Sequence, residues 1–314
     1  MVHLRIGCRG SRLAKMQTDQ AGDYICQTQP GTSFEKVEFT TSGDKIAGSL
    51  KRAGGKGLFV RELDVGLKAD KINLAIHCLK DMPGNEPLAE GTRIAGYLPR
   101  ADAGDVLIST GYRSIADLPQ GAKVGTTAPR RIAQLRAIRP DLQFDFDYRG
   151  AIDTRIKNMR EKRVDATLLA AAGLDRASLW EDEFVRLSVD DFLPAMGQGT
   201  LALQCRDGDD AVFELCRAAT CADAEFAALA ERQCLKVLDG DCFSAIAGIC
   251  EKKSEAWVFT VAIFGSRPGE QVRSVLVSEA DEGAEAFGKR IAEDLIGRGG
   301  KEFVERGFLE GVQH

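Results

Sequence analysis

Two residues in this sequence are of a type and placement that could do chemistry: Cys242 and Asp81. Cys242 ends Leu238-Asp239-Gly240-Asp241-Cys242, a polar turn predicted to follow a helical segment that opens near Ala222. A thiol on such a turn can serve as a nucleophile or a covalent anchor. By itself, a turn cysteine is ordinarily a small buried residue. Asp81 lies in His77-Cys78-Leu79-Lys80-Asp81-Met82-Pro83, directly after the apolar run Leu74–Cys78. A carboxylate at the carboxyl end of a buried strand stands where α/β folds gather ligands and reacting groups. The plain alternative is a turn cap with Lys80 as its ion-pair partner. The neighbouring residues predict an apolar setting for this carboxylate.

Arginines form the third element of the pattern. Gly125-Thr126-Thr127-Ala128-Pro129-Arg130-Arg131 runs from a predicted strand into a predicted helix. Hydroxyls, backbone N–H groups and guanidiniums at a helix start make an anion cradle. Tyr148-Arg149-Gly150 and Asp153-Thr154-Arg155 repeat the arrangement one unit later. Arginine at such positions favours two-pronged recognition of carboxylates. Residues 120–163 carry eleven Lys/Arg against five acids, inside a chain of net charge −5. A basic region within an acidic protein suits a focused site for a small anion better than nucleic acid, which the whole molecule would repel. Gly54-Gly55-Lys56-Gly57-Leu58-Phe59 departs from the Walker phosphate-loop pattern, since Leu50 and Gly57 stand where Gly and Ser/Thr are needed. With Lys51, Arg52 and Lys56 it reads as a basic lid, or as an ordinary connection.

The elements that must position these residues alternate in type. Strands are predicted at Leu4–Cys8, Val37–Thr41, Leu74–Cys78, Val106–Ser109, Lys123–Gly125, Phe144–Phe146 and Ala166–Leu169. Helices are predicted at Leu13–Gln27, Phe59–Ala69, Arg130–Ile138 and Thr154–Lys162. The alternation predicts α/β architecture with largely parallel pairing. Punctuation at 97–104 and again at 192–200 predicts two crossings between lobes, hence a hinged cleft. The first domain is expected to comprise 1–98 and 193–218, and the second 99–192. From 219 to 314 a small α+β domain is expected, with strands at Ala256–Phe264 and Ser274–Val277 and helices at Glu282–Leu295 and Lys301–Leu309.

Composition bounds the alternatives. The 314 residues are 44% hydrophobic and 28% charged, as in ordinary soluble proteins. Nine cysteines without dense regular spacing read as reduced thiols. The even spacing of Cys234, Cys242 and Cys250 matches no zinc pattern, and three histidines offer little else to a metal. Neither a secretory leader nor a membrane span is expected, so the predicted location is the cytoplasm.

Taken in order, these segments resemble the porphobilinogen deaminase (hydroxymethylbilane synthase) family. The resemblance rests on the Arg9/Ser11 start, GGKGLFVRELD, HCLKDMP, GTTAPRR, the YRG…TR pair, AAAGLDR, LPAMGQG and ERQCLKVLDGDC, and spans essentially the whole chain. It implies two lobes like those of periplasmic binding proteins around a cleft, plus a third, cysteine-bearing domain. It implies a dipyrromethane cofactor held by Cys242 through a thioether. Onto it four porphobilinogen units are added in turn, each losing ammonia, before hydrolysis frees a linear tetrapyrrole. Asp81 matches the family aspartate that stabilises the cation left by ammonia. Arg9, Arg130, Arg131, Arg149 and Arg155 match carboxylate-binding arginines, with Ser11, Lys80, Thr126 and Thr127 beside them. Ala170, Gly173, Arg176 and Gln198 fall on further cleft positions, and Lys56 and Phe59 on the lid. The family pattern implies a monomer that needs no metal, nucleic acid or membrane.

Six residues depart from the family pattern: Cys78 and Ala128 for Ser, Ala151 for Asn, Asp241 for a small residue, Ser244 for a hydrophobic residue, and Ala245 for Pro. They remove hydrogen-bond donors and place an acid beside the cofactor thiol. A non-catalytic protein holding a carboxylate-rich pyrrole or another small anion is the competing reading, but a simple binder needs neither Asp81 nor Cys242.

Overall fold

The structure, a computed structural model, describes residues 2–40, 60–241 and 244–308. The chain opens with β1 (Val2–Arg9), α1 (Arg12–Thr28), β2 (Thr32–Phe39), α2 (Arg61–Lys68), β3 (Leu74–Cys78), a 3-10 turn at Leu79–Asp81, and β4 (Thr92–Tyr97). It continues through β5 (Asp105–Ser109), β6 (Lys123–Gly125), α3 (Pro129–Ile138), β7 (Gln143–Asp145), α4 (Ile152–Arg160), β8 (Ala166–Ala170), α5 (Ala171–Ala177) and β9 (Val185–Arg186). Next come β10 (Leu201–Arg206), α6 (Asp210–Ala218), α7 (Ala222–Leu238), β11 (Ile246–Lys253), β12 (Ala256–Phe264), β13 (Gln271–Val277), α8 (Ala284–Gly297) and α9 (Gly300–Arg306).

Two five-stranded sheets share one plan. The first has the order β2-β1-β3-β10-β4 and the second β7-β6-β8-β5-β9. In each, three strands are parallel and the fourth, β10 or β5, runs antiparallel to both its neighbours. The expectation of largely parallel pairing is therefore corrected: each sheet is mixed. The physical reason is that β5 and β10 are the strands by which the chain arrives from the other sheet. They need no βα crossover within their own sheet, and only such crossovers enforce parallel entry.

The central strands are buried on both faces, which is why they read as continuous apolar runs. Leu74, Ala75, Val106, Leu107, Ile108, Ala166 and Leu168 are fully buried. β4, β9, β10, α5, α6 and β11 go beyond the elements expected from sequence. β11 carries Gly248, where a Cβ would lie 2.8 Å from the Thr260 carbonyl and 3.0 Å from Met196, so close strand approach replaces the usual β-branched signal.

The third sheet, β11-β12-β13, is antiparallel and packs on α7 and α8. Phe259 and Phe287 meet edge-on in its core at 5.9 Å between centroids. This unit touches both large sheets. Ala224 and Ala228 of α7 join Ala202 of β10 and Leu79 and Met82 of the 3-10 turn and its end. Ala245, Ala247 and Phe264 join Ile132 and Ala133 of α3. Gly240, Asp241 and Ser244 thereby reach the cleft between the two sheets.

Candidate active site

Strand ends build the site. β1 delivers Arg9, and Ser11 N-caps α1, its Oγ accepting from Ala14 N at 3.3 Å. β3 delivers Lys80 and Asp81 on the 3-10 turn that follows it. β6 delivers Thr126 and Thr127, and Pro129 starts α3 so that Arg130 and Arg131 fall in its first turn.

The two arginines converge on one carboxylate, Asp105 at the start of β5. Arg130 Nη1 donates to Asp105 Oδ2 at 2.6 Å and Nη2 to Oδ1 at 3.2 Å. Arg131 Nε donates to Oδ2 at 3.1 Å and Nη2 to Oδ1 at 2.7 Å. Asp105 is fully buried. Burial pushes its pKa up, but the two guanidiniums outweigh that and hold it well below the usual carboxylate range. Gln198, also fully buried, donates to Asp105 Oδ1 at 2.9 Å, while its Oε1 accepts from Arg130 at 3.1 Å and from Lys80 Nζ at 3.0 Å. Burial lowers the Lys80 pKa, and Asp81 beside it acts the other way.

A cavity of about 210 Å³ opens on this cluster. Its lining includes Lys80, Asp81, Arg130 and Arg131 from the two sheets, together with Asp241 and Ser244, one on each side of the cysteine turn. A second cavity of about 100 Å³ is lined by Arg9, Ser11, Cys78 and Asp81 among others. Asp81 borders both cavities. It is exposed, among cations, so the expected apolar setting is corrected: the 3-10 turn lifts the carboxylate out of the buried strand into the cleft.

The other expected site residues surround this centre. Arg155 is half-buried, and its Nε donates to the Gly150 carbonyl at 2.9 Å. Burial, and then Arg131 and Arg149, lower its pKa to about 10, which leaves it charged at neutral pH. Arg149 is half-buried, and its pKa is also lowered by burial. Arg176 is buried and donates to the Gly199 carbonyl at 2.7 Å. Thr126 accepts from Ala128 N at 3.3 Å, and Thr127 is half-buried beside it. Ala170 is the N-cap residue of α5, and Gly173 packs against Ile152, where a Cβ would clash at 2.8 Å. Among the described residues, these seven, with Gln198, do not line either cavity. Cys242, Lys56 and Phe59 lie outside the described residues.

Asp105 was not among the residues expected at the site. The signal for it was an acid opening the otherwise apolar run Val106–Ser109, a placement that demands a buried partner.

The departures have local explanations. Ala128 and Ala151 are the N-cap residues of α3 and α4, and neither helix has a side-chain cap there. Cys78 Sγ accepts from Gln17 Nε2 at 3.1 Å, so the thiol keeps a polar partner. Ser244 Oγ accepts from Asp241 N and donates to Asp241 Oδ1, both at 3.1 Å, which ties the two residues together. Ala245 is buried in the apolar seam against α3.

Two mixed sheets facing a cleft lined by charged residues, with a third unit closing one side, define a two-lobed α/β protein. A family model described as "Porphobilinogen deaminase, dipyromethane cofactor binding domain" matches residues 4–214. A porphobilinogen deaminase of Syntrophotalea carbinolica is 41% identical over 297 residues, 94% of this chain and 93% of that protein. One of Geobacillus kaustophilus is 40% identical over 309 residues, 98% of each. This chain belongs to the porphobilinogen deaminase family. Among solved structures, a putative methionine-binding lipoprotein of Bacillus subtilis matches at TM-score 0.42 and 13% identity, over 69% of this chain and 89% of that one. That likeness is too slight to bear on ligand or mechanism. No helix among the described residues is long and apolar enough to cross a membrane.

Proposed function

We propose that this chain is an active porphobilinogen deaminase (hydroxymethylbilane synthase). It joins four porphobilinogen units with release of ammonia and then frees hydroxymethylbilane by hydrolysis. The observation that carries this reading is the single cavity in which Asp81, Lys80, Arg130 and Arg131 face the residues flanking Cys242. The donor set fits a dipyrromethane, whose carboxylates call for guanidinium and ammonium partners. Cys242 would hold it, with Arg130, Arg131, Arg149 and Arg155 serving its acidic side chains. When bound, the cofactor supplies the pyrrole carbon to which the first substrate unit is joined.

The chain's own residues do the rest. Lys80 and the arginines bind and orient substrate carboxylates. Arg9 and Ser11, across the second cavity, extend that cationic lining on the other side of Asp81. Loss of ammonia from porphobilinogen leaves a cation, and the Asp81 carboxylate, fixed between the two cavities, offsets that charge as it develops. Its position on a short turn between β3 and Pro83 keeps it in place without reorganisation.

The reading includes three domains: 1–98 with 193–218, 99–192, and 219–314. The passages from β4 to β5 and from β9 to β10 support the first two boundaries. It also takes the protein as a cytoplasmic monomer that binds no nucleic acid. Incubation with porphobilinogen tests it: four ammonia molecules should appear per hydroxymethylbilane formed. Binding without ammonia release would return the non-catalytic reading.

A further inference from the structure

Arg130 and Arg131 have much of their hydrogen-bonding capacity turned inward. Besides their four contacts with Asp105, Arg130 Nη1 donates to the Leu193 carbonyl at 3.2 Å and Arg131 Nη1 to the Leu168 carbonyl at 2.8 Å. Side chains this long lose rotamer freedom when ordered, a cost that otherwise falls on ligand binding. Here contacts within the fold already take up that freedom. Gln198 extends the arrangement across the cleft. Its Nε2 is fixed by the Ala103 carbonyl at 2.6 Å, the Gly104 carbonyl at 3.2 Å and Asp105 Oδ1 at 2.9 Å, which leaves Oε1 facing Lys80 and Arg130. Lys80 comes from the first sheet and the arginines from the second, so a single carboxylate sets cations from both sides.

We propose that Asp105 is a positioning residue: it fixes the guanidiniums of Arg130 and Arg131, and through Gln198 the ammonium of Lys80, as one preset cradle for the carboxylates of substrate and product. This rests on the deaminase reading above. Two opposed effects separate it from the simplest alternative. If Asp105 merely competed with ligand for the arginines, removing its charge would tighten anion binding. If it positions them, removal leaves two poorly aimed guanidiniums and weakens binding despite the added positive charge.

The test compares wild type, Asp105→Asn, Asp105→Glu and Gln198→Met. Far-UV circular dichroism and thermal melts report folding, and intact mass reports cofactor content. Initial rates are then taken per loaded, folded molecule. Asp105→Asn should raise KM for porphobilinogen about tenfold or more, the equivalent of one lost charge-assisted hydrogen bond, with kcat within about threefold of wild type. Asp105→Glu should recover part of that loss, which a purely structural role would not produce. A folded Asp105→Asn protein with unchanged or lowered KM overturns the proposal. If Asp105→Asn does not fold, Gln198→Met decides: a KM rise of about threefold supports the proposal, and an unchanged KM contradicts it. Should wild type itself release no ammonia, the deaminase reading fails separately. Equilibrium binding of porphobilinogen to the same variants then makes the same comparison.

Discussion

Arg100 and Glu231 meet in a two-pronged ion pair, Nη1 to Oε1 at 2.7 Å and Nη2 to Oε2 at 3.3 Å. Arg100 lies on the passage from β4 to β5, and Glu231 on α7. Glu231 also accepts from Cys250 N at 2.8 Å and from Gly197 N, while Arg100 Nε donates to the Gln198 carbonyl at 2.9 Å. One pair therefore ties both chain crossings to the third unit. Gly197 makes this possible: its φ is +77°, and a Cβ there would lie 2.9 Å from Lys80 N. The side chain of Glu231 is only 1% exposed and that of Arg100 14%.

Breaking such a buried pair from one side leaves an uncompensated charge. Glu231→Leu should cost about 3–5 kcal/mol in urea unfolding. The double variant Arg100→Leu/Glu231→Leu should recover only part of this, because two backbone N–H groups still lose their acceptor. Full recovery would show that the pair, not the backbone contacts, carries the effect.

His77 predicts a pH dependence. Burial lowers its pKa to about 4, with the Gln204 contact acting the other way and Arg232 adding to the lowering. Gln204 Nε2 donates to Asp64 at 2.9 Å and Thr92 at 2.8 Å, so its Oε1 is the acceptor of the 2.7 Å contact and His77 donates from Nε2. The unfolded chain binds the proton more readily. Stability is thus fully present above about pH 6.5 and falls as the pH drops toward 4, by roughly 3 kcal/mol in all. His77→Gln should flatten that slope in denaturant titrations between pH 7 and 4.5. An unchanged slope would mean that His77 is not the titrating group.

Asp81→Asn separates charge from shape. The variant should fold and bind substrate, yet release ammonia several orders of magnitude more slowly, since fixed charges of this kind contribute about 3–4 kcal/mol. Asp81→Glu should keep part of the rate. A stable Asp81→Asn protein with near wild-type single-turnover ammonia release would reduce Asp81 to a cap.

Arg155 and Lys162 test localisation. Arg155 is half-buried in the field of Arg131 and Asp81, whereas Lys162 is exposed beyond α4. Arg155→Leu should impair cofactor assembly or early chain growth by tenfold or more, on the scale of a lost charge-assisted hydrogen bond. Lys162→Ala should change turnover little. Equal effects from both would contradict a localised site.

Much of this arrangement is legible in the sequence. The run Leu74–Cys78 is apolar because both faces of β3 are covered, and it points directly to Lys80 and Asp81. Pro129 marks the start of α3 and so places Arg130 and Arg131. Strand direction was not legible, because apolar runs report burial and say nothing of the direction from which β5 and β10 enter. Nor was the partner of the arginines: Asp105 is 26 residues from Arg131, and only the folded chain joins them. The exposure of Asp81 follows from a 3-10 turn whose single rotation no periodicity encodes.

The central claim is a covalent cofactor on Cys242, and intact mass with peptide mapping tests it most directly. Protein supplied with porphobilinogen should gain the mass of one dipyrromethane on the peptide that contains Cys242. Cys242→Ser should fold and gain none, while Cys234→Ser and Cys250→Ser keep the adduct. An adduct retained by Cys242→Ser, or lost from either of the other two while they remain folded, would contradict the account.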